Sequence, residues 1–272
     1  MSPTGPPVDW QVGPITAKLG NQAELALPAN FVFADATNAR RFLEITQNIP
    51  DGNELGIIAP KKGSWFAIFE FDPVGYVKDD EQSSLDAAAI LDSIKKGNEN
   101  GNVERRKRGW GTFTITGWID APHYDSVTHQ LTWALVGEDD KGAQSANYRT
   151  RLLGRRGVMS VELVVSPDQL NSVLPVFRSA ATDGFSFTAD NNYSSYVKGD
   201  KVAEYGLTAL IVGGAAAAAV KTGLFKYIGK LLIIGWKFIV LAFGALAAAV
   251  KKFFSSFSSG KKKSEPVPGS GQ

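Results

Sequence analysis

The chain has 272 residues, 44% of them hydrophobic, and no cysteine. That is enough apolar material for one substantial core plus an appendage, and it excludes disulfides, thiolate metal sites and thiol catalysis. The formal charge of +2 conceals a division: residues 207–263 hold nine Lys and no Asp or Glu, leaving −6 on residues 1–206, which argues against nucleic acid as a partner because a duplex binder needs a cationic globular face.

Residues 1–14 contain Pro3, Pro6, Pro7 and Pro14 and read as an extended lead-in. Met1–Asp9 shows neither the charged start nor the apolar core of a signal peptide. Alternation at 23–27 and 31–33 predicts short strands with one buried face. Ala39, Phe42, Leu43 and Thr46 recur at helical spacing, which predicts an amphipathic helix on a sheet. Residues 54–59 and 64–71, separated by Lys61-Lys-Gly63, predict a hairpin.

A second helix begins near Ser84, with Ala87, Ile90, Leu91 and Ile94 on one face, and is expected to stop at Gly97. The polar stretch 98–109, including Arg105-Arg-Lys-Arg108, then reads as a solvated loop. Alternating segments at 112–118, 130–136, 147–153 and 158–165 predict further strands. Ser166-Pro-Asp-Gln169 has the pattern of a capping box and starts a third helix with Leu170, Val173, Leu174 and Phe177 buried. Runs of strands with about three amphipathic helices predict an α+β fold built on a mainly antiparallel sheet. Residues 15–204 form this domain, followed by a helical membrane-associated region at 205–254 and a polar basic tail at 255–272.

The membrane reading rests on two segments. Residues 207–220 are uncharged but number 14, short of the ~20 that span a hydrocarbon core. Residues 228–250 contain twelve Ile, Leu, Val and Phe, each favouring insertion by about 0.3 to 0.6 kcal/mol against about 2.5 to 3.5 for one central Lys. Insertion wins narrowly. Lys226, Lys230 and Lys237 fall on one helical face, and Lys251 and Lys252 follow, so these cations meet the headgroups by snorkelling or line a polar seam. Gly213, Gly214, Ala217, Gly244 and Ala248 supply small residues for close helix packing, within a hairpin or between copies of the chain. One span or a hairpin both satisfy the pattern. The positive-inside rule keeps the tail in the cytoplasm, and with one span it places the acidic domain outside.

Four blocks carry a family resemblance: Gly75-Tyr-Val-Lys-Asp-Asp80; Gly117-Trp118 running into Ala121-Pro-His-Tyr-Asp125; Asn147-Tyr-Arg-Thr-Arg-Leu-Leu-Gly-Arg-Arg-Gly157; and Lys201-Val-Ala-Glu-Tyr-Gly206. Together they resemble a family of bacterial membrane-anchored proteins classed only as a domain of unknown function. The resemblance implies anchorage in the bacterial cell membrane and supplies no catalytic residues.

Candidate chemistry is sparse. Arg149, Arg151 and Arg155 alternate along a predicted strand with Arg156 adjacent, an anion-binding row suited to phospholipid headgroups, unless the domain's own carboxylates pair with it. His123 and His129, near Asp120 and Asp125, are the only source of a mixed nitrogen and oxygen metal site or of a hydrolase base, but their spacing fits no ligand motif and a polar turn explains it. Lys78-Asp-Asp-Glu81 reads as a turn rather than a calcium loop. No nucleophile elbow, phosphate-binding glycine loop or zinc-protease motif occurs. The expectation is a non-enzymatic interaction or scaffold module of the bacterial envelope with no cofactor, whose partners are the lipid bilayer, anionic phospholipid, an envelope protein or further copies of the chain. The alternatives are a self-assembling membrane protein with a Lys-lined helical region and a hydrolase using His123 or His129.

Overall fold

A computed structural model describes residues 8–212. Strands β1 (Gln11–Val12), β4 (Phe31–Asp35), β5 (Glu54–Pro60), β6 (Phe66–Asp72), β7 (Phe113–Asp125), β8 (Gln130–Asp139), β9 (Gln144–Leu153) and β10 (Val158–Val165) form an eight-stranded sheet in the order β1-β4-β5-β6-β10-β9-β8-β7. Strands β2 (Ile15–Leu19), β3 (Ala23–Leu27) and β11 (Phe185–Phe187) form a second sheet in the order β11-β3-β2. The paired strands run antiparallel throughout. Helices are α1 (Ala36–Ile45), α2 (Ala87–Lys107), α3 (Leu170–Phe177) and α4 (Leu207–Val212). The α+β class stands: among the described residues there are four α-helices, three of them within the predicted domain and α4 in the region predicted to follow it.

The large sheet is covered on both sides, so its central strand β10 is buried along its whole length. Residues of one parity, among them Phe69, Ala134, Tyr148, Met159, Val161 and Leu163, join the core shared with the small sheet and α3. Residues of the other parity face α1, α2 and α4. Ile57, Phe66, Ile68 and Val164 pack with Ala39 and Leu43 of α1, while Leu131, Trp133 and Leu135 pack with Ile90 and Ile94 of α2 and with Leu210 of α4. Alternation with a period of two makes both faces from one set of strands.

The second helix departs from expectation. It continues through Gly97 to Lys107, so the polar stretch 98–109 is mainly helical rather than a loop. Asp86 caps its start by accepting from the Ala88 and Ala89 amides, both at 3.0 Å. Its C-terminal half docks through polar groups. Asn98 accepts from the Ile115 amide at 3.0 Å, and Asn102 both accepts from Phe113 N at 2.9 Å and donates to Phe113 O at 2.7 Å. Arg105 donates to the carbonyls of Gly111 and, at 3.1 Å, of Gln47. Asn98, Asn102 and Arg105 thus form an i, i+4, i+7 stripe that covers part of the open edge of β7. Burial pulls the Arg105 guanidinium below its ordinary value, opposed by Asp140. Arg106 pairs with Glu99 and Arg108 with Glu104.

The capping box does not form. Ser166 makes no side-chain cap and bonds Asp168 instead, while Gln169 accepts from Ser64 at 3.0 Å. At the ends of the domain, β1 lies within the predicted lead-in and pairs with β4. Residues 207–212, read from the sequence as the start of the membrane-associated region, form α4 with Leu207, Leu210 and Ile211 buried against the domain. A parallel bridge between Tyr76 and Val202 brings the chain to that helix, and Gly75, at φ +97°, sits where a Cβ would lie 2.5 Å from the Lys201 carbonyl oxygen. Glu81 then accepts from the Thr208 amide at 3.0 Å, satisfying one of the open donors at the start of α4.

Candidate functional site

The helix-facing side of the large sheet carries a concentration of polar groups that its opposite side lacks. Register places Arg149 between Trp133 and Glu162, Arg151 between Leu131 and Ser160, and Asn147 between Leu135 and Val164. Glu70 lies beyond Ser160 on β6, opposite Glu54 on β5. The floor therefore reads, across five strands, as an array of indole, guanidinium, amide, hydroxyl and carboxylate.

Arg149 and Glu162 form a buried ion pair at 3.0 Å, both side chains 10% exposed. Arg151 stands differently: its guanidinium lies over the Trp133 ring, 5.0 Å from the centroid, with no hydrogen-bond acceptor among the described residues. Burial, and then the Arg149 charge, pull Arg151 below its ordinary value, while Asp72, Glu162 and Glu70 push the other way without compensating. Tyr205 closes on the same region, pushed up to about 12 chiefly by burial and next by Asp72, with Arg151 opposing. Around Arg151 several fully buried polar atoms have no partner among the described residues: Trp133 Nε1, Ser160 Oγ, and both Oδ1 and Nδ2 of Asn147. Such orphans cost free energy unless something fills their bonds.

On the same side, oxygen atoms of Asp51, Glu54 and Glu70 lie within 4.8 Å of one another. The Glu54 carboxylate is already engaged: it accepts from the Asp51 and Gly52 amides at 2.8 and 2.9 Å and from Arg40 at 3.2 Å. These donors fix a loop and leave the group a poor metal centre, since a ligand carboxylate must spare its lone pairs.

The predicted arginine row divides. Arg149 and Arg151 share the helix-facing floor, but β9 ends at Leu153, and Arg155 and Arg156 lie in the tight turn closed by Gly154 N to Gly157 O at 2.9 Å. Arg155 grips Asp200 bidentately at 2.7 and 2.9 Å, and Arg156 donates to Asn191 at 3.2 Å. Strand alternation stops with the strand, so Arg155 does not face with the other two. Lys226, Lys230, Lys237, Lys251 and Lys252, and Gly213, Gly214, Ala217, Gly244 and Ala248, lie outside the described residues.

The two histidines have separate environments. His123 Nε2 is 2.7 Å from Thr132 Oγ1, its Nδ1 is 3.2 Å from the Ala121 carbonyl oxygen, and Asp120 stands 3.7 Å from Nδ1, outside hydrogen-bond reach. The carbonyl can only accept, so Nδ1 donates and Nε2 accepts from the Thr132 hydroxyl. His129, at φ +53°, ends the β7–β8 turn that Asp125 caps through Val127 N at 2.8 Å. Its Nδ1 is 3.1 Å from the Tyr124 hydroxyl, which donates to Asp79 at 3.1 Å. With its one proton committed to Asp79, Tyr124 receives the His129 proton. The His129 ring also packs on Tyr193, and Tyr193 on Tyr76, at centroid distances of 4.2 and 4.4 Å. No metal-ligating group of three or more residues forms at these histidines among the described residues.

Sequence reasoning found Arg149 and Arg151 but missed Asn147, Ser160, Trp133 and Glu162. The available signal was a polar residue at alternate positions of otherwise apolar strands, as in Val158-Met-Ser-Val-Glu-Leu-Val-Val165. Among the described residues no helix is long and apolar enough to cross a membrane, and the predicted span at 228–250 lies outside them.

Comparison with known proteins adds a family and a weak structural likeness. No curated protein matches the chain. The solution structure of cyanobacterial PsbP (CyanoP) from Synechocystis sp. PCC 6803 is similar at 11% identity, over 69% of this chain and 97% of that one, with a TM-score of 0.38. Residues 11–247 match the family described as "Protein of unknown function (DUF2167)", a match that takes in every strand of both sheets. The chain belongs to the DUF2167 family.

Proposed function

We propose that this chain is a membrane-anchored binding module of the bacterial envelope, in which the α+β domain engages a ligand or partner and the residues after α4 hold it to the bilayer. The carrying observation is the division of charge and hydropathy: an acidic body with a net −6 precedes residues 207–263, which have nine Lys and no carboxylate. Apolar residues prefer hydrocarbon, and the lysines prefer its anionic surface. The first turns of that region are fastened to the domain by the Glu81 contact and by Leu207, Leu210 and Ile211, which supports a short, stiff connection between body and anchor.

Alkaline carbonate extraction of membranes from cells making the full chain tests this. The chain should stay in the membrane pellet and leave it only with detergent. Release of the intact chain into the carbonate supernatant would end the proposal.

A hydrolase reading has one specific observation behind it, the Thr132 hydroxyl hydrogen-bonded to His123 Nε2. It requires that Thr132→Val and His123→Gln each abolish turnover of an activated ester. Unchanged turnover in either variant removes it.

A further inference from the structure

Arg151 is a strongly basic, partly buried group that has three carboxylates in its field and, among the described residues, no hydrogen-bond acceptor. Its nitrogens are not among the fully buried atoms without partners, so its N–H donors remain open to a ligand. Its guanidinium carbon rests 5.0 Å from the Trp133 ring centroid, and a guanidinium that stacks on an aromatic ring keeps its N–H donors available to other partners. The orphaned groups nearby are mostly donors: the Trp133 indole N–H, the Asn147 amide N–H pair and the Ser160 hydroxyl, set against the Asn147 oxygen as the chief acceptor. A ligand that completes this site must supply acceptors.

Charge narrows the choice. Arg149 is matched by Glu162, whereas Arg151 makes no ion pair among the described residues. Asp72, Glu162 and Glu70 already place carboxylates in its field, which disfavours a ligand with more than one negative charge. A planar, singly charged acceptor that meets a guanidinium edge with two parallel hydrogen bonds is a carboxylate.

We propose that Arg151, with the Trp133 indole and the Ser160 hydroxyl beside it and the Asn147 amide farther along the same strand face, forms a binding site for the carboxylate of a small ligand. Arg151 takes the carboxylate at its edge. Ser160, directly across the strand pair from Arg151, donates a further bond, and Asn147, two positions beyond Arg149 on the same strand face, engages a polar group farther along the ligand. Tyr205 borders the site where the chain turns toward α4. This deepens the binding-module reading, but it concerns the described domain alone, so a chain that fails carbonate extraction leaves it intact.

The test titrates the full chain with acetate and with N-acetylglycine, at ionic strength held constant with chloride, following melting temperature and the indole N–H resonances. Wild type should respond saturably to both carboxylates, with one indole resonance moving, and show no response to methyl acetate or inorganic phosphate. Arg151→Lys keeps the charge but loses the fork and should weaken binding about tenfold. Ser160→Ala removes one hydroxyl and should weaken it about fivefold. If Arg151→Lys does not fold, Ser160→Ala decides alone. A response that never saturates, one shared by phosphate, or one unchanged in the folded variants overturns the proposal.

Discussion

The two faces of the large sheet are made by the same strands and differ in what they accept. Toward the small sheet, β6 and β10 present Ala67, Phe69, Phe71, Met159, Val161 and Leu163. Toward the helices, the same two strands present Glu70, Asp72, Ser160 and Glu162 between apolar positions. Apolar burial there would have been simpler, since each buried polar group needs a partner to offset its lost hydration. The first face explains stability. The second holds groups that stability alone does not call for.

The comparison is sharpened most by removing one large side chain from the apolar face. Phe69→Ala, at a position with no exposure, should cost about 3–5 kcal/mol of unfolding free energy in a urea titration. A loss below about 1 kcal/mol would show a face that collapses readily around the gap.

On the polar face the decisive measurement is a pair of variants. Arg149→Met leaves Glu162 buried without its partner and should cost about 3 kcal/mol, whereas Arg149→Met with Glu162→Met should recover most of that loss. If the double variant is no better than the single one, the pair contributes stability and the two faces differ less in what holds them.

Asn102→Ala tests the polar docking of α2. Losing the paired bonds to Phe113 should cost about 2 kcal/mol, with faster amide exchange at Phe113. Equal exchange in both proteins would mean that the helix holds the edge of β7 by its apolar residues alone.

The smallest effect belongs to the turn after β9. The Arg155 fork, helped by the Val197 amide, holds the Asp200 carboxyl from its ordinary 3.8 down to about 2. A depressed acid pKa contributes stability that is present above the unfolded value and lost as pH falls through the folded one. Wild type should therefore lose this contribution between about pH 4 and pH 2, and Asp200→Asn should lack that part of the acid-unfolding profile. An identical profile in the variant would show that the pair adds nothing.

The sequence by itself determined strands β3 to β10 and α1, but not β1, β2 or β11, because alternation and helical spacing of apolar residues report which side of an element is buried whatever the neighbours are. It also determined the charge division and the family blocks, which are properties of composition and order. Only the tertiary structure decided that α2 runs past Gly97, since its later turns are held by side chains bonding a strand eleven or more residues away rather than by an apolar stripe. The same holds for the site: Arg149 and Arg151 were legible as an alternating pair, but Glu162, Ser160 and Trp133 join them only through strand register. Register is a contact between distant segments, and a local pattern cannot carry it.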